Sequence, residues 1–247
     1  MFDRLKARGF EIHFLSHAEA IMSVDFPKAA QELESALVNA SIPIEEIIAG
    51  GGGEAKGTQR LRKALAEKGW VKTTFVVEKI INGVQRESQS HEVDHVRAFE
   101  SGARIALEIE WNNKDPFYDR DLENFKRLHA DGAISIGVIV TRGRALHAAM
   151  HGFVRRFLDR HGIDDFPALE SFDYVPTPKQ RRDIQSRVGR ANNPIPFRAA
   201  FTDKFVSDKF GEATTHWKKL EDRVHRGVGN PCPLLLIGLP PSIVTFG

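Results

Sequence analysis

Residues 103–111, ARIALEIEW, limit the possible folds more than any other stretch, because Glu108 and Glu110 alternate with Leu107, Ile109 and Trp111. A period of two places both carboxylates on one face of a β-strand and the apolar side chains on the other. Acids in a strand otherwise made of Ala, Ile, Leu and Trp are costly unless they meet a cation. A third carboxylate, Asp94, lies on the preceding extended stretch HEVDHV. Two neighbouring strands carrying Asp and then Glu-x-Glu can gather three hard oxygen ligands. That is the donor chemistry of Mg²⁺ and of metal-assisted phosphodiester hydrolysis.

The flanking segments say how such a strand is placed. TTFVVEKII, Asn82-Gly83 and VQRESQSHEVDHVRAF read as a hairpin, since Asn-Gly between extended runs favours a tight two-residue turn. Ser101-Gly102 turns the chain again, so three strands should form an antiparallel meander ending at the carboxylates. DRDLENFKRLHADG is an amphipathic helix with Leu122, Phe125 and Leu128 as its apolar stripe, and AISIGVIV follows as a strand buried on both faces. Strand, helix, strand implies a right-handed crossover with the two strands parallel. FEIHFLSH and PCPLLLIGL are further strands, and DFPKAAQELESALVNA is a helix that Asp25 can cap with Pro27 in its first turn. TQRLRKALAEKGW, HGFVRRFLDRHG and FGEATTHWKKLEDRVHRG read as helices as well. The glycine run Gly50–Gly53 lacks the Gly-Lys-[Ser/Thr] order of a Walker loop and reads as a linker, with a mobile loop near DNA as the alternative. The expected architecture is α/β (α+β), a mixed central β-sheet flanked by helices.

The 247 residues are sufficient for one domain with a full core, taken as residues 1–247 with a catalytic core over about 45–150. Residues 151–247 are then a helical elaboration for DNA binding or dimerisation. No apolar run reaches the roughly 18–20 residues of a membrane span, the N-terminal stretch is not a signal peptide, and a cytoplasmic location is expected. The single cysteine, Cys232, excludes an internal disulfide and reads as a small buried hydrophobe. A net charge of +2 does not by itself mark a nucleic-acid binder. Basic residues do cluster in Lys179–Arg198, preceded by Arg155, Arg156 and Arg160, a pattern open to phosphate contact or to a solvated helix face.

GTQRLRKALAEKGW, the HEVDHV aspartate, and ALEIEWNNKDPFYDRDLENFKRLH followed by GVIVTRG resemble the BglII/BstYI-type Type II restriction endonucleases. These are PD-(D/E)xK nucleases, of which BamHI is a more distant relative with an acid where most of the fold keeps lysine. The resemblance covers roughly residues 45–150 and implies a restriction-endonuclease-like core. It matches Asp94 and Glu108 to the metal ligands, joined by the Ile109 carbonyl, and Glu110 to the position usually held by lysine. Asp94 is preferred over Asp115, which lies beyond the strand end. One or two Mg²⁺ ions per active site are implied, with Mn²⁺ able to substitute. Glu110 would orient or deprotonate the attacking water, and the positive charge of the absent lysine would come from a second metal or a cation such as Lys114.

Asn112, Asn113 and Lys114, directly after the acidic strand, and Arg142 and Arg144, at the end of the next one, are the candidate DNA-binding residues. Asparagine can pair with adenine and arginine with guanine or phosphate; a turn before Pro116 and an exposed loop are the plain alternatives. His91 and His95 would share the face of Val93, pointing away from Asp94, and no His-x-x-x-His pair comes with a third zinc ligand. His216, Trp217 and Lys218 read as helix packing. The expected partners are double-stranded DNA, a second copy in a homodimer and a cognate DNA methyltransferase, with no membrane. The leading reading is therefore a site-specific, Mg²⁺-dependent endonuclease. The alternatives are a structure-specific repair or recombination nuclease of the same fold and a catalytically inactive DNA-binding protein.

Overall fold

A computed structural model of the chain describes residues 1–50 and 53–247; Gly51 and Gly52, within the glycine run read as a linker, lie outside the described residues. The elements run α1 (Asp3–Ala7), β1 (Glu11–Leu15), α2 (Ala18–Val24), α3 (Pro27–Val38), β2 (Ile42–Pro43), α4 (Ile44–Ile48) and α5 (Lys56–Ala66). Then come β3 (Trp70–Ile81), β4 (Val84–Ala98), β5 (Arg104–Glu110), α6 (Phe117–Ala130), β6 (Ile136–Arg142) and α7 (Arg144–Arg160). The chain closes with α8 (Phe166–Glu170), α9 (Pro178–Val188), α10 (Phe197–Phe210), α11 (Trp217–His225), β7 (Leu234–Leu239) and β8 (Val244–Thr245). The main sheet has the order β1-β7-β6-β5-β4-β3, and β2 pairs with β8 beside it.

The expected meander is present: β3, β4 and β5 are antiparallel neighbours, and the first hairpin turns at Asn82-Gly83 with positive φ at both residues. Two consecutive positive φ values define the mirror-image turn whose twist matches that of the strands, which is why Asn-Gly is favoured there. Beyond Phe75 this hairpin runs out as a two-stranded arm, with Val76 and Ile80 exposed. Near its base the pairing slips from Thr73↔Val93 to Val71↔Val96. Two residues of β4, Asp94 and His95, thus face the single Lys72, which is a β-bulge.

The crossover also forms as expected, with β5 parallel to β6 and β6 parallel to β7. All of β6 is buried, as its unbroken apolar run required. Helix α6 lies against this part of the sheet through Tyr118, Leu122, Phe125 and Leu128, each fully buried. Gly137 of β6 permits the close approach, because a Cβ there would collide with the Phe125 ring. The sheet therefore separates two apolar layers. Ala106, Val93 and the α6 stripe lie in one, and Ile105, Leu107, Trp111 and most of the helices in the other.

Two local expectations are corrected. The N-cap of α3 is Phe26, with no side-chain cap, while Asp25 closes α2. The helix expected over FGEATTHWKKLEDRVHRG covers only Trp217–His225. The residues before it form a turn closed by Thr214 N donating to the Gly211 carbonyl at 3.0 Å, and Thr214 bridges to Lys114, with its hydroxyl also donating to the Gly211 carbonyl at 2.7 Å. Helix α10 was not anticipated; Phe201, Phe205 and Phe210 bury one of its faces. Among the described residues no helix is long and apolar enough to cross a membrane.

Candidate active site

Alternation along β5 has the consequence read from sequence. Glu108 and Glu110 point into the layer beneath α6, 6% and 3% exposed, while Leu107 and Trp111 point the other way. Among the described residues neither acid forms an ion pair; the nearby Arg120 pairs with Asp121 instead. The Asp94 amide donates weakly to Glu108 Oε1 at 3.4 Å, and the Asn113 side-chain amide donates to Glu110 Oε2 at 2.9 Å. Burial, reinforced by the charges of Asp121 and Asp94, pushes the Glu108 carboxyl up to about 9. Burial also raises Glu110 and Asp121, which interact directly.

Asp121 was not among the expected site residues. It projects from α6 toward the strand and is 2% exposed. Its Oδ1 accepts from Arg120 Nε at 2.8 Å, and its Oδ2 has no hydrogen-bond partner. The signal was present, since Asp121 precedes Phe125 by four residues and so belongs to the helix face that packs on the sheet.

These donors suit a hard divalent cation. Three buried carboxyls with too few donors form an electrostatically unfavourable cluster that positive charge relieves. Asp94, at the rim, has a half-exposed side chain 3.8 Å from Lys72 Nζ. Asp115, the rejected alternative, is instead paired with Arg223 at 3.3 Å.

The histidines differ from expectation. A regular strand would turn His95 away from Asp94, but the bulge breaks the alternation, and Asp94 and His95 line the same cleft. His95 Nδ1 lies 3.2 Å from the Leu107 carbonyl and must carry the proton to donate to it. Burial lowers its pKa, and Nε2 is left without a partner. His91, on the arm, lies apart from this cleft and beside Arg127.

The cleft encloses about 1300 Å³ between α5, the base of the hairpin and the end of β5. Lys56, Arg60, Arg62, Lys63 and Lys72 line it against Glu54 and Asp94, so its walls are predominantly basic. Ile109 and Trp111 form its floor, which puts it on the face of β5 opposite the Glu108 and Glu110 side chains. The two regions meet at Asp94 and at Asn112 and Asn113 beyond the strand end.

The remaining expected DNA contacts are placed as follows. Asn112 lines the cleft, and Lys114 is exposed. The loop carrying them is fixed by Thr215 N donating to the Asn113 carbonyl at 2.8 Å and Asp115 N to the Ala213 carbonyl at 3.1 Å. The Asn113 amide is committed to Glu110. Arg144 is exposed but ion-paired with Glu11 at 3.0 Å and with Glu221. Arg142 is fully buried, and this corrects the expectation that it contacts DNA. Its guanidinium donates to the Trp111 carbonyl at 2.8 Å, Thr214 Oγ1 at 2.7 Å and the Thr215 carbonyl at 2.6 Å. From that position it can reach neither a base nor a phosphate.

Among the described residues, only His147, Glu212 and His216 bring three potential ligand atoms within 4.8 Å of one another. Their hydrogen bonding argues against a metal there. Arg142 Nη1 lies 3.2 Å from His147 Nδ1, and arginine can only donate. His147 Nδ1 therefore accepts, and its Nε2 carries the ring proton toward Glu212, 3.7 Å away. The stacked His147 and His216 rings, 4.0 Å between centroids, form a polar pack against Arg142. His216 and Trp217 are buried in helix packing, as their sequence suggested.

The raised carboxyl makes a testable statement about the metal-free protein. Between the usual value of 4.5 and about 9, folded Glu108 holds a proton that the unfolded chain releases. Its contribution to stability is therefore fully present below 4.5 and lost as pH rises through about 9. Relative to Glu108→Gln, which cannot ionise, the wild-type melting temperature should fall progressively across that window, and Mg²⁺ should reverse the fall. Parallel pH profiles for the two proteins would rule the assignment out.

The family model for restriction endonuclease BglII/BglIII matches residues 10–239, nearly the whole chain. No curated protein matches it.

Proposed function

The chain belongs to the restriction endonuclease BglII/BglIII family, and on that premise we propose that it is a Type II enzyme cutting double-stranded DNA at a specific, palindromic site with Mg²⁺. The observation that supports the metal requirement is the pair of almost wholly buried acids on β5, Glu108 and Glu110, without an ion-pair partner among the described residues. Asp94 and Glu108, with the Ile109 carbonyl, would hold the cation. When bound it would supply Lewis-acid stabilisation of the charge that develops on the scissile phosphate. Mn²⁺ offers the same preference for oxygen ligands and would substitute.

The chain's own groups account for the rest. Asn113 fixes one oxygen of Glu110, so that carboxylate is oriented to accept a proton from the attacking water. The basic cleft would bind the phosphate backbone, and Asn112 and Lys114 at its end would meet base edges. A palindrome presents two equivalent half-sites, which a homodimer matches through its two-fold axis. Such an enzyme would be paired in the cell with a methyltransferase that protects the host's own sites.

Incubating the protein with phage DNA and Mg²⁺ tests this directly. Discrete fragments that disappear with EDTA are expected; a smear, or cutting restricted to branched DNA, would contradict site specificity. The cleft has its own test. Replacing exposed Lys63 by Ala should weaken binding to all sequences alike and reduce the slope of log K against log salt by about 1. A change confined to one sequence would show that Lys63 reads bases instead.

A further inference from the structure

The ladder between β5 and β6 ends at the pair Glu110↔Thr141. Buried backbone carbonyls at such an end still need donors, and side chains of β6 supply them. Arg142 Nε donates to the Trp111 carbonyl at 2.8 Å, and Thr141 Oγ1 donates to the Glu110 carbonyl at 2.8 Å. A threonine hydroxyl has one proton, and here it goes to Glu110. The Tyr118 hydroxyl, 2.6 Å from Thr141 Oγ1, must then be the donor in that second contact. The bonds therefore run in one direction, from Tyr118 on α6 through Thr141 on β6 to the backbone of Glu110 on β5.

Tyr118 and Thr141 are fully buried, so water competes for neither bond. Burial also raises the Tyr118 phenol above its ordinary value, which keeps it a donor through the neutral range. Packing alone does not call for two hydroxyls here, since Phe and Val would fill the same space. Neither residue lines the basic cleft. What they reach is the carbonyl of the residue whose carboxylate faces the attacking water. Asn113 holds that carboxylate at Oε2, but a side chain held at its tip still moves with the backbone that carries it. Tethers at both the carboxylate and the carbonyl leave Glu110 one placement. The second tether also ties the end of β5 to α6, which Gly137 lets pack closely through Phe125.

We propose that Thr141 and Tyr118 are positioning residues for the cleavage step, acting through the backbone of Glu110 to hold its carboxylate against the attacking water. The inference rests on the nuclease reading above and deepens it. Neither hydroxyl touches the substrate. Their effect is one of placement, and a shift of about 1 Å in a reacting group can cost on the order of a hundredfold in rate.

The test compares Thr141→Val, which keeps the shape and removes the hydroxyl, with Thr141→Ser, which keeps the hydroxyl. Single-turnover cleavage in Mg²⁺ and DNA affinity in Ca²⁺ are measured for each full-length variant. Thr141→Val should cut at least about tenfold more slowly, while Thr141→Ser stays within about threefold of wild type. DNA affinity should be unchanged in both. Tyr118→Phe removes only the far donor and should also slow cleavage at unchanged affinity, so it keeps the test open if Thr141→Val fails to fold. In a Glu110→Gln background neither substitution should slow cleavage further, because the group they place is already gone. The serine rescue decides the matter if that background cuts too slowly to measure. Wild-type rates for both Thr141→Val and Tyr118→Phe, or equal losses with and without the Glu110 carboxylate, overturn the positioning role and leave the nuclease reading standing. So does a Thr141→Ser variant as slow as Thr141→Val. Wild type that cuts no DNA overturns both.

Discussion

Replacing Glu108 by Ala is expected to lower DNA cleavage by at least about a thousandfold, while binding to DNA in Ca²⁺ stays close to that of wild type. The magnitude follows from what the side chain holds. Charge stabilisation by a bound metal is worth several kcal/mol, and each ~1.4 kcal/mol is a factor of ten in rate. Binding should survive because Glu108 faces the α6 layer, whereas the basic cleft opens on the other side of the strand. The folded state should survive too, since the substitution removes a buried acid that is already unfavourable without a cation. Single-turnover cleavage and a gel-shift titration in Ca²⁺ separate the two effects. Full cleavage by Glu108→Ala would remove the site assignment, and equal loss of binding and cleavage would place Glu108 in the DNA interface.

What the sequence made legible here is local. The β3–β4 hairpin could be read because Asn82-Gly83 is a turn signal contained within two residues. The β5–α6–β6 crossover could be read because its periods change from two to 3.6 within a short stretch and its connections are short. The shared face of Glu108 and Glu110 followed from that same period. The parts that were missed depend on longer-range packing. Asp121 is one acid among several on an amphipathic helix, and only its place in the buried stripe four residues before Phe125 sets it apart. The bulge that brings His95 beside Asp94 arises from the register against Lys72, and no residue type signals it. Arg142, at a strand end in TRGRAL, looked exposed because its acceptors, from Phe210 to Thr215, lie some seventy positions away. Period and turn chemistry are properties of a window of residues. Burial of a charge is a property of whatever later folds over it.

Arg142 therefore yields the second large effect, on stability rather than on DNA binding. Arg142→Met should destabilise the protein by at least about 3 kcal/mol, because buried acceptors that lose their donor cost about 1–3 kcal/mol each. The acceptors are the Trp111 carbonyl, at the end of the catalytic strand, and Thr214 and Thr215 before α11. For a domain of this size that corresponds to a fall of roughly 6–12 °C in melting temperature. The loss is tempered on one side only: burial without a carboxylate partner pulls the guanidinium down to about 10, so its charge is itself costly to enclose. Arg142→Lys should not rescue, since one ammonium cannot span acceptors that a planar fork reaches from three nitrogens. Where the variants remain folded, their affinity for DNA and its salt dependence should match wild type. Arg144→Ala should do the reverse of Arg142 in stability, shifting it little, because its ion pairs with Glu11 and Glu221 involve an exposed side chain. An Arg142 variant that melts like wild type but loses DNA binding would return this residue to the interface, and would mean that the 210–216 segment opens when DNA is bound.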